Sequence, residues 1–531
     1  MSKEEIMEEI QVEETHIYVT EIEEIIEDNQ VEIAMDESEI EDPYHVICKA
    51  RWRCCFPMIM HAIALLGGVL VGYSTTIAGG VLDMDSYMVT FSSKLYKEEM
   101  HHLDNNCGFG SFQLQWYISS LYMAASISIL FAFALKNIWG RRSTFRLGST
   151  LMVLGTILTA VSSGFYVQSV GRIVTGVAIG LLLQVIPTII TEMEVDKTRG
   201  LNIKFGCFTA AGSTLAIGLN YFASYFHVWG WRLSTGFIIP VAFILFLISF
   251  NIFETPFWLV ENRKISEAKI VLRLMMSATH VDDMCVEIEE NISRRKVDNH
   301  LQAILHHGSR PALVIMVTTQ ILVQLLGFSV YTNYGPFMLQ SLGYTSHEAF
   351  LFLLVCSILN TIIIFIQPWI FRIFGRRRPL IIASIFMLSS LAYASVIFFL
   401  YVDSHFFNGS AIVCVILGLT VTYIAAYSIC FGPEAWLDVS FPLRTCAIGS
   451  VLEAVTSMFF SFLTNMFSTR LACTLGVHVF VYYSFCSLVM VLFILLLVPE
   501  TRGVLMYSMA RRVWSQHWLW KKYVSYHDIY V

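Results

Sequence analysis

Ser74, Arg172, Gln324, Asn360 and Glu453 are polar or charged side chains set inside stretches of sequence that are otherwise apolar. A carboxylate such as Glu453, where the dielectric is low, can take up a proton near physiological pH; the Ser74 hydroxyl cannot titrate in that range. An arginine stays charged and needs a counter-ion or a set of acceptors. Glutamine and asparagine both donate and accept, so Gln324 and Asn360 either glue two helices together or serve a site. For Glu453 the plainer reading is an acid close enough to the cytoplasmic end of its helix to reach water or a basic loop. No nucleotide loop, metal cluster or catalytic triad accompanies these residues, and no nucleic-acid-binding pattern is present, which argues against an enzyme and implies no cofactor.

The composition says what must hold such residues. The chain has 531 residues, of which 56% are hydrophobic and 14% aromatic, too apolar for a soluble globule. Crossing hydrocarbon by helix takes about 20 apolar residues, because only then are the backbone groups satisfied without water. Twelve stretches qualify, near 58 to 82, 113 to 135, 144 to 163, 166 to 190, 203 to 226, 233 to 253, 311 to 340, 347 to 373, 379 to 401, 410 to 435, 445 to 468 and 475 to 498. The expected fold is therefore an all-α membrane protein of twelve transmembrane helices. If both termini are cytoplasmic, the outer segments hold only Lys94, Lys97, Arg232 and Arg470 of the 34 Lys and Arg, as retention of positive charge inside requires.

Residues 1 to 43 carry seventeen Asp and Glu against one Lys and read as a disordered acidic cytoplasmic arm. No basic region precedes an apolar run there, so it is not a cleavable signal peptide. The organisation predicted is an arm over 1–45, a six-helix half over 46–253, a cytoplasmic linker with short helices over 254–310, a second six-helix half over 311–498 and a cytoplasmic tail over 499–531. NIWGRRST after the second span and RIFGRRRP after the eighth place one Gly-Arg-Arg turn at the same point of each half. Such a repeat marks two pseudo-symmetric halves with a substrate cavity between them near the midplane.

GGVLVGYSTTIAGGVLDMDSY in span 1, GRIVTGVAIGLLLQVIPTIITEM in span 4, RGLNI, GWRLS, ETPFWLV, YGPFMLQSLGY, FGPEAW, PETRG and RVWSQHWLWKKY follow one another in order. Over residues 45 to 525 the chain resembles the sugar porters of the major facilitator superfamily, and among them the plant monosaccharide/proton symporters. The resemblance implies alternating access around a sugar held by amide side chains and an aromatic face. It assigns Gln324, Asn360 and Trp436 to the binding site, with Ser329 and Thr456 as shortened substitutes. Other family amides are missing: Gly206 and Val323 stand where the family has glutamine. Each lost hydrogen bond is worth about 0.5 to 1.5 kcal/mol, so several losses weaken binding.

The same resemblance puts Ser74 where the symporters have a proton-accepting aspartate paired with an arginine, here Arg172. Proton coupling cannot run through Ser74, which leaves a passive carrier or another acid, Glu453 first among the candidates. Arg141, Arg142, Arg376 and Arg377 are expected to pair with Glu192, Glu254 or Glu500, charges that in this family hold the inward gate shut. A disulfide between Cys107 and Cys473 is implied across the outer lid. The expected function is monosaccharide transport, hexose by preference, in the plasma membrane with both termini cytoplasmic. The partners implied are the sugar, with or without protons, and the bilayer. The rival reading is a transport-poor member that acts as a regulatory or interaction partner through its acidic arm.

Overall fold

The computed structural model describes residues 43–84, 86–87, 90, 112–193, 201–226, 228–275, 281–295, 310–332, 339, 345–402, 410–432, 446–475, 478–500 and 513–522. The chain divides into two units, Met1–Trp52 and Arg53–Val531. The first contributes only helical backbone from Pro43. The second is built, among the described residues, from helices alone.

In chain order the long helices are α1 (Pro43–Leu82), α2 (Phe112–Ile138), α3 (Arg141–Val161), α4 (Phe165–Glu192) and α5 (Leu201–Ala223). The sixth span is made of α6 (Gly230–Gly236) and α7 (Ile239–Phe250). Three short helices follow, α8 (Pro256–Glu261), α9 (Ile265–Met275) and α10 (Val281–Arg295). Then come α11 (Arg310–Leu325), α12 (Ser346–Phe374), α13 (Arg377–Val402), α14 (Ser410–Phe431), α15 (Cys446–Leu475) and α16 (Val479–Leu497). Eleven of the described spans are long and apolar enough to cross a membrane; α5 is not among them. The reason lies in its composition: Thr209, Gly212, Ser213 and Thr214 line α5 where other spans carry bulky apolar groups.

Those small residues let backbones touch. A Cβ on Gly72 of α1 would lie 1.8 Å from the Thr209 carbonyl oxygen, and one on Gly212 of α5 would lie 2.4 Å from that of Val69. The glycines of the 67–80 stretch thus serve close helix approach, the usual way helices associate where there is no hydrophobic drive between them. On its far side α5 meets α12, where the Thr214 hydroxyl sits 2.7 Å from both Ser357 Oγ and Thr361 Oγ1. Packing between α5 and α12, and between α2 and α15, joins the first six spans to the last six.

The Gly-Arg-Arg repeat has a structural counterpart. Gly140 and Gly375 both adopt positive φ, 90° and 80°, immediately before α3 and α13. In the first half the backbone N–H groups of Arg141 and Arg142 donate to Glu254; in the second, those of Arg376 and Arg377 donate to Glu500, each at 3.1 Å. A remote carboxylate thereby satisfies the free N–H groups at the start of each helix, where the macrodipole favours negative charge. Glu254 and Glu500 each follow the last span of their half, so one acid closes each bundle on itself.

After α16 the chain folds back. Trp518 Nε1 donates to the Leu496 carbonyl at 3.1 Å and Trp520 Nε1 to that of Leu497 at 2.9 Å, which satisfies the open carbonyl end of the helix. Val513, Trp514 and Trp520 are buried in the core of the second half.

Gly72→Ala should lower thermal stability by about 1 to 3 kcal/mol, because a backbone oxygen rather than a flexible side chain must give way. Gly236→Ala, whose nearest new neighbour would be the Ala160 Cβ at 3.8 Å, should leave it unchanged. Thermal unfolding of the two purified variants in detergent, followed by tryptophan fluorescence, checks the contrast.

Candidate functional site

Two groups of buried polar residues lie within the membrane body, one in each half. In the first, Arg172 stands in the second turn of α4, only 2% exposed. Its Nη1 donates to the backbone carbonyl of Ser74 at 2.7 Å, and its guanidinium lies 5.3 Å from the centre of the Tyr117 ring. The Ser74 side chain takes no part: its Oγ is buried without a hydrogen-bond partner, as are Nε and Nη2 of Arg172. Around this cation the aromatic groups continue, with Tyr87 5.9 Å from Tyr117 and edge-on to Trp231 at 6.0 Å. The Tyr87 hydroxyl donates to Gln168 Oε1 at 2.9 Å, and that of Tyr122 to the Thr75 carbonyl at 3.0 Å. A carbonyl dipole and ring quadrupoles replace the carboxylate expected opposite the arginine, a weaker compensation for a buried charge.

In the second half the polar residues come in pairs across helices. Asn360 on α12 accepts from the Ser428 hydroxyl of α14 at 2.6 Å. Gln324 on α11 faces Ser457 on α15, its Nε2 3.5 Å from Ser457 Oγ. One turn nearer the start of α11 Gln320 Nε2 donates to Glu453 Oε1 at 2.9 Å. The described partner of Glu453 is thus an amide ten residues into α11, while the loop before α15 lies outside the described residues. Gln324 lies fourteen residues from the first residue of α11 and Asn360 fourteen from the last residue of α12, about 21 Å along each helix axis.

The backbone breaks just past Gln324. α11 stops at Leu325, Gly327 takes φ 84°, and a further helical stretch carries Ser329. A Cβ at Gly327 would lie 2.5 Å from the Tyr483 ring, so both its conformation and its space exclude a larger residue. The Leu326 carbonyl at the break accepts from the Tyr423 hydroxyl of α14 at 2.8 Å. Discontinuous helices with re-satisfied backbone are a common way to open a polar site inside a membrane. The Phe328 and Tyr427 rings stack beside it, 4.1 Å apart and 10° from parallel. Ser329 Oγ has no hydrogen-bond partner, and Thr456 adjoins Ser457 on α15. Trp436 and Cys107 lie outside the described residues, as does the side chain of Cys473.

At the Gly-Arg-Arg turns the acids bind within their own half. Arg141 holds Glu192 with two bonds, Nε to Oε2 at 3.0 Å and Nη2 to Oε1 at 2.8 Å, and the Thr255 hydroxyl adds a third to Glu192 Oε2 at 2.6 Å. Both partners of this bidentate pair are buried, 7% and 8% exposed at their side chains. Burial pushes the Glu254 carboxyl above the usual range, against the pull of the backbone N–H groups of Arg142, Arg141 and Thr255 and of the Arg141 charge. The Arg142 and Arg377 guanidinium groups turn to carbonyls at the ends of α7 and α16, those of Phe250 and Leu495.

Gln320, Ser428 and Ser457 are the polar partners that sequence reasoning missed. Their signal was present, since Gln320 precedes Gln324 by four and Ser457 follows Glu453 by four, each pair on one helix face.

Residues 60–513 match the family model described as "Sugar (and other) transporter". Sugar transport protein 8 of Arabidopsis thaliana is 32% identical over 474 residues, which cover 88% of this chain and 93% of the relative. Sugar transport protein MST4 of Oryza sativa subsp. japonica is 29% identical over 469 residues, 87% and 91% of the two chains. Among solved structures, the major facilitator superfamily proton:xylose symporter XylE bound to 6-bromo-6-deoxy-D-glucose aligns with a TM-score of 0.68 at 20% identity, covering 86% of this chain and 98% of that one. An inward-open conformation of the xylose transporter XylE from E. coli gives 0.66 at 19% identity, over 85% and 98%. The structural matches establish the fold: an all-α, multi-pass membrane protein of the twelve-helix major facilitator type.

Ser74→Asp should raise thermal stability by about 1.5 to 3 kcal/mol, since it offers a charged acceptor to the unused Nε and Nη2 of Arg172. The measurement is a thermal-shift comparison with the parent protein in detergent. A lowered midpoint would mean that the carbonyl and the rings already satisfy the arginine.

Proposed function

The chain belongs to the sugar transporter family, and from that membership we propose that it carries a monosaccharide, by preference a hexose, across the plasma membrane by alternating access. One observation supports the reading above the rest: α11 breaks directly after Gln324, which leaves that amide beside an opened backbone. A sugar presents a ring of hydroxyls, and side-chain amides with adjoining hydroxyls can both donate to and accept from it. Gln324, Asn360, Trp436, Ser329 and Thr456 are the residues proposed to contact the sugar. The long contact between Gln324 and Ser457 is weak enough to exchange for a sugar hydroxyl.

Alternating access in this reading is rocking of one six-helix half against the other, along the α2–α15 and α5–α12 contacts. Both termini lie on the cytoplasmic side, where most of the Lys and Arg fall. Arg141, Arg142, Arg376 and Arg377, with Glu192, Glu254 and Glu500, hold the inner ends of the helices together within each half. Proton coupling through residue 74 is excluded on chemical grounds, because serine does not titrate. A cystine between Cys107 and Cys473 would cover the outer mouth.

Expressed in a yeast strain lacking its own hexose carriers, the protein should restore uptake of labelled D-glucose. Gln324→Ala and Asn360→Ala should each lower uptake efficiency about two- to tenfold, the worth of one hydrogen bond. Normal uptake by both variants would refute the assignment of the site. No uptake from correctly localised protein would favour the rival, a non-transporting regulatory partner acting through the acidic arm.

A further inference from the structure

Among the described residues three acids lie within membrane-spanning helices: Glu192, Glu348 and Glu453. Glu192 is neutralised by Arg141, and Glu348 closes the capping box of α12 with Thr345. Glu453 has neither a cation nor a helix N-terminus, only the neutral amide of Gln320 at 2.9 Å. It is partly buried in the second turn of α15 and turned toward α11 rather than lipid. An acid so placed is costly to keep ionised, and the cost falls when it binds a proton.

Among the described residues the elements packed against α15 offer Glu453 no other hydrogen-bond partner. α15 packs against α2, α11 and α16. From α2, Lys136 donates to Thr188 at 3.1 Å and lies over the Phe133 ring, Tyr122 is engaged with Thr75, and Tyr117 lies under Arg172. From α11 the nearest charge is Arg310, ten residues before Gln320. α16 presents Tyr482, Tyr483 and Cys486, and none of these groups bonds to Glu453.

We propose that Glu453 is the proton-binding site of this carrier, loaded from one face of the membrane and emptied to the other in each transport cycle. The proposal rests on the transport reading above. The chemistry is a single protonation: a proton from water adds to a carboxylate oxygen, and the same bond breaks when it leaves. Ionised Glu453 accepts from Gln320 Nε2; protonated Glu453 is a donor, for which the amide must turn its Oε1. Gln320 and Gln324 are one turn apart on α11, and Glu453 and Ser457 one turn apart on α15, so the two contacts are successive rungs of one ladder. A change in the lower rung is felt at the upper rung, where the sugar is proposed to bind.

The test uses the full chain reconstituted in liposomes, with labelled D-glucose and two readouts. Counterflow into liposomes preloaded with unlabelled sugar reports sugar exchange without a proton gradient; accumulation with the outside acid reports coupling. The parent protein should show both, with accumulation of about tenfold per pH unit for one proton per sugar. Glu453→Gln should keep counterflow and lose accumulation, and Glu453→Asp should restore part of it. Undiminished accumulation by Glu453→Gln overturns the proposal, as does counterflow without accumulation in the parent. Absence of counterflow in the parent overturns the transport reading itself, and this proposal with it.

Discussion

A polar group inside hydrocarbon has no water to turn to, so each one must find its partner in the protein or remain uncompensated. That constraint organises the whole molecule. Helix starts at Arg141 and Arg377 are closed by carboxylates brought from the far end of each half, and the carbonyl end of α16 is closed by tryptophans from the tail. Where α11 breaks, a tyrosine from α14 takes up the freed carbonyl. The contacts that satisfy the backbone are therefore also the contacts that set the helices in place.

Against this background the incompletely compensated groups stand out. Arg172 has a carbonyl and a ring where a carboxylate would serve it better, and Glu453 has an amide where a cation would. Among the described residues, Arg172 in the first half meets no acid and Glu453 in the second meets no cation. Structural groups in this protein are paired well, as the threefold grip on Glu192 shows. Incomplete pairing at a charged group is what a changing charge state or a passing guest would use.

Much of this was legible in the sequence. Apolar runs of the right length and the repeated Gly-Arg-Arg turn gave the spans and the two halves, because both are local patterns with a fixed physical meaning. Partner identity was not legible. Helical periodicity tells which face Asn360 shares, not which helix will meet that face, and its partner Ser428 is 68 residues away; Gln320 and Glu453 are 133 apart. α5 shows the limit of the length-and-apolarity rule, since a span enclosed by other helices can be lined with hydroxyls and glycine.

The carboxylate contacts at the Gly-Arg-Arg turns carry a kinetic consequence. The Arg141–Glu192 ion pair, and the Glu254 and Glu500 carboxylates that accept from the backbone N–H groups of Arg141, Arg376 and Arg377, all join elements of one half. Described contacts between the halves are instead made by hydroxyls, small residues and a ring stack, such as Thr214 against Ser357 and Tyr225 against His347. Sliding one bundle past the other thus need not pull those opposite charges apart. Ionic strength then acts on how rigid each bundle is, and leaves the barrier for their relative motion almost untouched.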